Sequence, residues 1–299
     1  MISSRAYSAH EALTEPARAT AQIWRLVIGL ILIAGFVLVA GQFINQTLLM
    51  FLGRANYNAL TGVTEVSGQA SVLFLLLSFG LLTLGVVVAL RVAHNRGFLA
   101  LLGDLTLFRR QFWSVLTVLL VINFAILILP PWTGGVDIEP NVSFSAWLVI
   151  LPFALIALFV QVSAEEILFR GYLQQQLAAR FRSPLVWLLV PSALFGLGHY
   201  SPAMAGENAV ILAVWSAVFG LAMADVTARA GTLGPAIAIH LVHNAAAILF
   251  VSIQDELSGL ALYTVSIDLS DAEAIASLFP VEFMSILISW LGARLALRR

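Results

Sequence analysis

The sequence lacks cysteine and lysine altogether, and it has few charged residues of either sign. Without cysteine the chain can form no disulfide, has no thiolate nucleophile and offers no soft sulfur ligand to a metal ion. Charged residues make up 10% of the 299 positions, whereas hydrophobic residues make up 61%, which far exceeds the apolar content of a soluble domain of this length. This composition indicates an integral membrane protein.

Apolar segments recur along the chain at lengths that suit membrane crossing, for which a helix needs roughly 20 residues. Eight are found, at 26–51, 70–93, 113–131, 144–166, 185–200, 209–228, 234–253 and 274–296. The fifth is the shortest and contains Pro191, which indicates a kinked or partly embedded helix. Residues 1–22 are polar without the pattern of a signal peptide, so we interpret them as a tail. The sequence predicts an all-α fold, a polytopic transmembrane helix bundle of about eight spans over residues 23–299.

The arginines are distributed unevenly between these segments. If the spans alternate in direction, Arg54 alone lies on the side of the membrane opposite the N-terminus. All other arginines lie on the same side as the N-terminus. These are Arg5, Arg18, Arg25, Arg91, Arg96, Arg109, Arg110, Arg170, Arg180, Arg182, Arg229, Arg294, Arg298 and Arg299. The positive-inside rule then predicts that both termini are cytoplasmic.

Acidic residues are consistent with this orientation, although they orient helices only weakly. On the opposite side the sequence places Glu65, Asp137, Glu139, Glu207, Asp255, Glu256, Asp268, Asp271 and Glu273. The stretch 94–112 is apolar, contains two glycines and is flanked by arginines, which favours an interfacial helix. Residues 254–273 form the longest exterior loop. The absence of lysine suggests a bacterial genome of high GC content, and therefore an inner membrane location.

Ionisable side chains inside a span each cost several kcal/mol unless they face a wet or polar interior. The informative ones are Glu165, Glu166, His199, His240 and His243, with Asp225 and Glu282 as weaker cases near span ends. Each has a structural interpretation as well. The glutamate pair with Arg170 is typical of an interface anchor, His199 of an interfacial histidine, and His240 of a hydrogen bond between packed helices.

Helix geometry assigns different surroundings to the two glutamates. Glu166 and Arg170 are four residues apart and share a helix face, so we expect them to pair at the cytoplasmic boundary. Glu165 points about 100° away and is left unpaired, free to face the bundle interior as a general base. His240 and Asn244 also share a face, and because His243 lies in the same arc, spacing leaves open which histidine points inward.

The order of these residues is more informative than any one of them. Glu165, Glu166 and Arg170 are followed by Phe195 and His199, and then by His240 and Asn244. This ordered set resembles the CPBP family of intramembrane proteases, which includes the CAAX prenyl endopeptidase of eukaryotes and the bacteriocin-processing or abortive-infection proteins of bacteria. The resemblance covers about residues 145–250 and rests on three short motifs that form a strong signal only together.

The resemblance implies that Glu165 and His199 activate water against a scissile amide, and that His240 and Asn244 stabilise the oxyanion. Glu166 and Arg170 would orient the site. Glu165, His199 and His240 could also bind zinc and leave one position open for water. Both a metallopeptidase and a metal-free glutamate mechanism stay open.

The resulting hypothesis is an intramembrane endopeptidase that cuts a peptide or protein substrate near the cytoplasmic membrane surface, with the bilayer and no nucleic acid as further partner. The alternatives are a non-catalytic immunity or scaffold protein of the same fold, and a proton-coupled transporter. The predicted boundaries place Glu165 at the cytoplasmic end of the fourth span and His199 near the outer end of the fifth. The two can meet only if the fourth span extends well past Arg170 or the fifth begins later.

Overall fold

The computed structural model describes residues 4–62, 68–129, 137–254 and 257–298. Four residues used to predict the orientation lie outside these ranges, namely Glu65, Asp255, Glu256 and Arg299. The last two residues of the predicted third span, 130 and 131, lie outside them too.

Apolar helices dominate the described part of the chain. They are α1 (Ile23–Thr61), α2 (Gln69–His94), α3 (Leu105–Ile128), α4 (Phe144–Arg180), α5 (Pro184–Gly198), α6 (Ala209–Ala230), α7 (Gly234–Phe250) and α8 (Ala272–Leu297). Within the described ranges, six helices are long and apolar enough to cross a membrane, and α5 and α7 are shorter apolar helices. The prediction of an all-α polytopic bundle is therefore confirmed, and the chain is a multi-pass membrane protein.

Two of these helices change their hydrogen-bond pattern along their length. In α4 a regular helix over Phe144–Glu166 passes into a π-helix over Ile167–Leu173 and returns to a regular helix over Gln174–Arg180. In α7 a regular helix over Gly234–Ala245 ends in a π-helix over Ala246–Phe250. Such π-segments are rare and are found most often at functional sites.

The fourth span is longer than predicted, because α4 continues past Glu166 to Arg180. The added part contains Gln174 and Gln175, whose polarity argues against a span on sequence grounds. Both are fully buried, and their amides donate to the backbone oxygens of Ala224 at 3.0 Å and Leu101 at 2.8 Å. Neighbouring backbone thus accepts an N–H of each amide inside the bundle, and the helix does not need to end where the polar residues begin.

The predicted interfacial helix over 94–112 is wrong. This stretch contains one short turn, Phe98–Leu101, and then the start of α3 at Leu105, so that Arg109 and Arg110 lie on α3. Asp104 fixes this start, because its Oδ1 accepts the backbone N–H of Leu107 at 2.7 Å.

Residues 4–20 form short helical turns over Ser4–His10, Glu11–Thr14 and Glu15–Thr20. They pack against the bundle, with the side chains of Leu13 and Ala17 fully buried. The hydroxyl of Tyr7 donates to Asp225 Oδ1 on α6 at 2.6 Å. The segment predicted as a polar tail is therefore part of the folded bundle.

Short strands accompany the helices in the described part of the chain. They are β1 (Ile138–Pro140), β2 (Val251–Ile253) and β3 (Tyr263–Val265), and β3 lies between the other two. It pairs antiparallel with β1 and parallel with β2. The exterior segment predicted as a loop over 254–273 thus contributes a strand. Further short turns lie at Pro202–Ala205, Gly206–Asn208 and Ser258–Leu260.

The core lies around α4 and α7. Every residue from Gly234 to His240 is buried, because α7 packs against α3, α4 and α6. On one flank α5 and α6 approach so closely that a Cβ at Gly196 would collide with the backbone oxygen of Ala213 and the Cβ of Ala217. Only small residues allow two membrane helices to come this near.

Candidate active site

Glu165 and Glu166 are the last two residues of the regular part of α4, directly before the π-helix. Both are buried, and their carboxylates face different partners. Because the helix continues to Arg180, they lie well inside α4 and not at its end. The expectation that they mark a cytoplasmic boundary is therefore wrong.

Glu166 forms the predicted pair with Arg170, with Oε1 and NH1 3.1 Å apart. Their side chains are 0% and 1% exposed, so this is a fully buried ion pair. Arg170 also donates from NH2 to the backbone oxygen of Gly220 at 3.1 Å, and its guanidinium lies 4.8 Å from the centre of the Phe195 ring. These contacts fix Arg170 between α4, α5 and α6.

His240 bridges the two glutamates from α7. Its Nδ1 lies 2.8 Å from Glu166 Oε1, and its Nε2 lies 3.6 Å from Glu165 Oε2. Since a carboxylate paired with arginine accepts hydrogen bonds, we assign a proton to Nδ1. Glu165 Oε2 is buried and has no hydrogen-bond partner among the described residues. A carboxylate oxygen and an imidazole nitrogen thus lie on either side of a gap of 3.6 Å, and an oxygen atom beside this gap could hydrogen-bond to both.

Gln161 connects this gap to Asn244. The Gln161 amide donates to Glu165 Oε1 at 2.7 Å, and Asn244 Nδ2 donates to Gln161 Oε1 at 2.9 Å. The expectation that Glu165 is unpaired is therefore wrong, since it has an amide partner, although not a cationic one. The sequence analysis missed Gln161, yet it lies four residues before Glu165 on the same helix face, in an otherwise apolar run.

His199 follows the last residue of α5, and the lengths of α4 and α5 indicate that it reaches about the level of Glu165. His199 lies 15 residues after Pro184, at the start of α5, and Glu165 lies 15 residues before Arg180, at the end of α4. Each is therefore about 22 Å along its helix from the turn that joins α4 to α5. The longer α4 thus removes the mismatch between the two predicted spans.

The hydrogen bonding of His199 defines its tautomer. Its Nδ1 is 2.8 Å from the backbone oxygen of Phe195, which can only accept, so Nε2 carries the free lone pair. The Phe195 ring centre lies 4.5 Å from that of His199 and 6.1 Å from that of His240. His199 is exposed, and the Phe195 ring contacts both its ring and that of His240.

His243 points away from the cluster. Its Nε2 lies 3.1 Å from the Ser289 hydroxyl on α8, and its ring packs against Phe219. The structure therefore separates the two histidines that spacing left unresolved, with His240 toward the glutamates and His243 toward the last helix.

Asp225, one of the weaker candidates, belongs to a different cluster. It accepts hydrogen bonds from Tyr7 at 2.6 Å, from Arg229 at 2.7 Å and from the Trp290 indole at 2.8 Å. These contacts tie the N-terminal segment, α6 and α8 together. The spacing of Asp225 and Arg229 suggests their pair, whereas nothing in the sequence points to Tyr7 or Trp290.

The side chains predicted as zinc ligands are Glu165, His199 and His240. Across the described ranges, no three His, Asp or Glu side chains converge as metal ligands. His240 directs Nδ1 at Glu166, and His199 directs Nδ1 at a backbone oxygen. Glu165, His199 and His240, as arranged, do not fit a three-ligand zinc site, and no step below is routed through a metal.

Fold and site together define a multi-pass membrane protein with buried carboxylate, imidazole and amide groups hydrogen-bonded in its core. Residues 143–246, about a third of the chain, match the family described as type II CAAX prenyl endopeptidase Rce1-like. This match confirms the resemblance drawn from the three motifs, and it includes Glu165, His199, His240 and Asn244.

A relative among curated proteins is similar over part of the chain. It is the uncharacterized protein YyaK of Bacillus subtilis (strain 168), which is 30% identical over 130 residues. The aligned part covers 43% of this chain and 43% of the relative, so the chain spans less than half the length of that protein. No solved structure matches the chain.

Proposed function

We propose that the chain is an intramembrane endopeptidase that hydrolyses a peptide bond with water activated by Glu165. The observation that carries the proposal is the gap between Glu165 Oε2 and His240 Nε2, 3.6 Å wide and buried in the bundle. The match of residues 143–246 to a family of CAAX prenyl endopeptidases supports a reaction at an amide bond.

In this mechanism Glu165 is the general base. Its free Oε2 accepts a proton from a water molecule, which then attacks the scissile carbonyl carbon. Gln161 holds the other carboxylate oxygen and so orients the attacking pair. Nε2 of His199, an acceptor in the tautomer assigned above, takes the second proton and gives it to the leaving amine as the C–N bond breaks. Glu165 releases the first proton to solvent with the products, which restores the carboxylate.

The developing oxyanion needs hydrogen-bond donors that are already in place. Glu166 accepts the Nδ1 proton of His240 and so holds the ring with Nε2 toward the gap, where a proton on Nε2 can be donated to the oxyanion. The Asn244 amide has a second N–H besides the one that bonds to Gln161. His240 and Asn244 thus serve as oxyanion donors, while Arg170 compensates the charge of Glu166.

The substrate is a peptide or protein segment at the membrane, and no cofactor is needed for these steps. The lysine-free, arginine-rich composition supports a bacterial inner membrane, and the arginine asymmetry supports the placement of both termini in the cytoplasm. Single cysteines at 180 and 298, in a chain that has none of its own, test this orientation with a membrane-impermeant thiol reagent. Labelling from the exterior alone would contradict the orientation.

Turnover of a quenched peptide library by the purified protein tests the activity. We expect cleavage by the wild type and by Glu273→Gln, an exposed carboxylate on α8, and a loss of about 10²- to 10⁴-fold in Glu165→Gln at unchanged folded yield. Wild-type rates in Glu165→Gln would refute the general base. Binding of a partner protein without cleavage would indicate a scaffold or immunity protein, and proton flux in proteoliposomes a transporter.

A further inference from the structure

A second group of buried polar residues lies away from the glutamates, where the end of α2 meets α1 and the last part of α4. We call it the arginine cluster, and it consists of Thr20, Arg25, His94, Arg96, Tyr172 and Gln175. The proposed peptidase mechanism uses none of these residues. Four hydrogen bonds hold the cluster together, and each of them involves a residue at the end of α2, within 93–96.

Two of these bonds position the two arginines, and a third lies between them. Arg25 NH1 donates to the backbone oxygen of Ala93 at 2.6 Å, and Arg96 NH2 donates to Gln175 Oε1 at 3.3 Å. Between them, His94 Nε2 lies 2.8 Å from the Tyr172 hydroxyl. Arg25 binds the backbone three residues before Arg96, so both guanidinium groups lie at the end of α2. The two positive charges therefore belong to one site.

Arg96 carries hydrogen-bond donors that nothing satisfies. The residue is 7% exposed, and its Nε and NH1 are buried without a partner in the described part of the chain. Nε of Arg25 is likewise buried without a partner there. Buried donors of this kind are rare, because each unmade hydrogen bond costs free energy that water would otherwise provide.

None of the described carboxylates compensates this charge. Carboxylates pair with Arg18, Arg170 and Arg229, whereas neither Arg25 nor Arg96 forms an ion pair with a described residue. Burial lowers the pKa of Arg96 to about 10, which still leaves the side chain charged at neutral pH. A buried, charged guanidinium without a counter-ion is unfavourable unless an anion from outside the chain occupies the site.

We propose that the arginine cluster binds a phosphate group, and that its position assigns this group to the headgroup of an anionic phospholipid. Guanidinium groups bind phosphate oxygens through paired N–H donors, and basic pockets between membrane helices are typical headgroup sites. Asn95 and Gly97, on either side of Arg96, are exposed, so a short turn separates the guanidinium from the protein surface.

Apolar side chains around the cluster favour a lipid over a soluble phosphate. Trp24 is 57% exposed and stacks with the Arg25 guanidinium, whose carbon lies 4.7 Å from the ring centre. Val92 on α2 and Leu99 in the following turn are 67% and 58% exposed. An exposed tryptophan beside arginine and apolar residues is typical of the membrane–water interface, where the phosphates of phospholipids lie.

Thermal melting of the purified full-length protein in detergent tests the site, with phosphatidylglycerol, phosphatidylcholine and inorganic phosphate as the added probes. We expect phosphatidylglycerol to raise the melting temperature by about 5 °C above phosphatidylcholine. Arg96→Gln should lose most of this rise. Arg91→Gln, an exposed arginine one turn earlier on α2, should keep it and serves as the matched control.

The probes separate the sources of the phosphate. An equal rise with inorganic phosphate, lost in Arg96→Gln, supports the anion site with a soluble ligand and overturns the assignment to a lipid. A wild type that responds equally to all three probes overturns the proposal, as does an Arg96→Gln protein that keeps the full phosphatidylglycerol response. If Arg96→Gln does not fold, Arg25→Gln takes its place, and native mass spectrometry of the wild type must still detect retained phosphatidylglycerol.

Discussion

The first and the seventh apolar helix have the same kind of sequence but lie in different surroundings. Along α1, all of it described, the buried residues are Leu26, Gly29 and Ile33, and most of the remaining surface faces lipid. Along α7 every residue from Gly234 to His240 is buried in protein. Hydropathy alone does not distinguish these two helices, because lipid tails are as apolar as leucine side chains.

The polar side chains make the difference. In α7, His240 and Asn244 are held by Glu166 and by Gln161 of α4, so the rotation of the helix is fixed by hydrogen bonds. The outward face of α1 has apolar side chains such as Leu38 and Phe43. Rotations of α1 that expose one apolar side chain or another to lipid are nearly equivalent in free energy. Stability and chemistry should therefore both concentrate in the helices that polar contacts hold in place. Four predictions test this comparison, beginning with the largest effect.

Arg170→Ala should cause the greatest loss of stability. It leaves Glu166 buried without its cation, and breaking a buried ion pair in this way costs about 3–5 kcal/mol. Arg18→Ala breaks the Arg18–Glu11 pair, whose side chains are 57% and 52% exposed, and should cost less than about 1 kcal/mol. Folded yield and thermal melting measure both. Glu166→Gln should also lower the yield, and equal yields for Arg170→Ala and Arg18→Ala would contradict the contrast.

His240→Ala and Asn244→Ala should each reduce turnover about a hundredfold, as the loss of one oxyanion donor does in other hydrolases. His243→Ala is the control within the same helix, and since His243 contacts Ser289, we expect little change in its rate. Turnover of one quenched peptide, with folding checked by melting, compares the three. An inactive His243→Ala beside an active His240→Ala would show that the motif is shifted in register.

Gln161→Leu should reduce turnover about tenfold, because one hydrogen bond to the Glu165 carboxylate is worth roughly 1.5 kcal/mol. Gln161 acts through Glu165, so we expect kcat to fall while KM stays nearly constant. Gln42→Leu on the exposed face of α1 is the matched control and should leave kcat unchanged. A lower rate in Gln42→Leu, or a wild-type rate in Gln161→Leu, would remove Gln161 from the mechanism.

The smallest effect is expected on the lipid face of α1. Phe43 is 72% exposed, and Phe43→Ala should change stability by less than about 0.5 kcal/mol. Leu158 on α4 is fully buried, and Leu158→Ala should cost about 2–5 kcal/mol. Thermal melting in one detergent compares the two variants. A Phe43→Ala protein as unstable as Leu158→Ala would mean that the exposed face of α1 is covered by protein.

Local patterns in the sequence predicted the eight apolar helices and the Glu166–Arg170 pair, because helix length and four-residue spacing depend on neighbouring residues alone. They did not predict that α4 continues past Arg170. Arg170 and Gln174 look like a helix end, yet they are satisfied by the backbone oxygens of Gly220 and Ala224 on another helix. Contacts across the bundle are not encoded in local spacing.

The same limit applied to the site. Residue order identified Glu165, His199, His240 and Asn244, and their catalytic roles stay predictions. It did not identify Gln161, whose meaning depends on Asn244 lying opposite it. Helix spacing could not separate His240 from His243 either, since their orientation depends on which neighbouring helix each of them meets.

The close approach of α5 and α6 affects how a substrate can reach Glu165. Gly196 fits directly against the backbone of α6, and Gly220 lies against Ser192 of α5, so this seam cannot widen or slide without losing backbone contact along its length. We therefore expect α5 and α6 to move together, with His199 at the end of α5 and the Gly220 oxygen that binds Arg170. Under the proposed function, a lateral gate for a peptide would then open at another seam of the bundle.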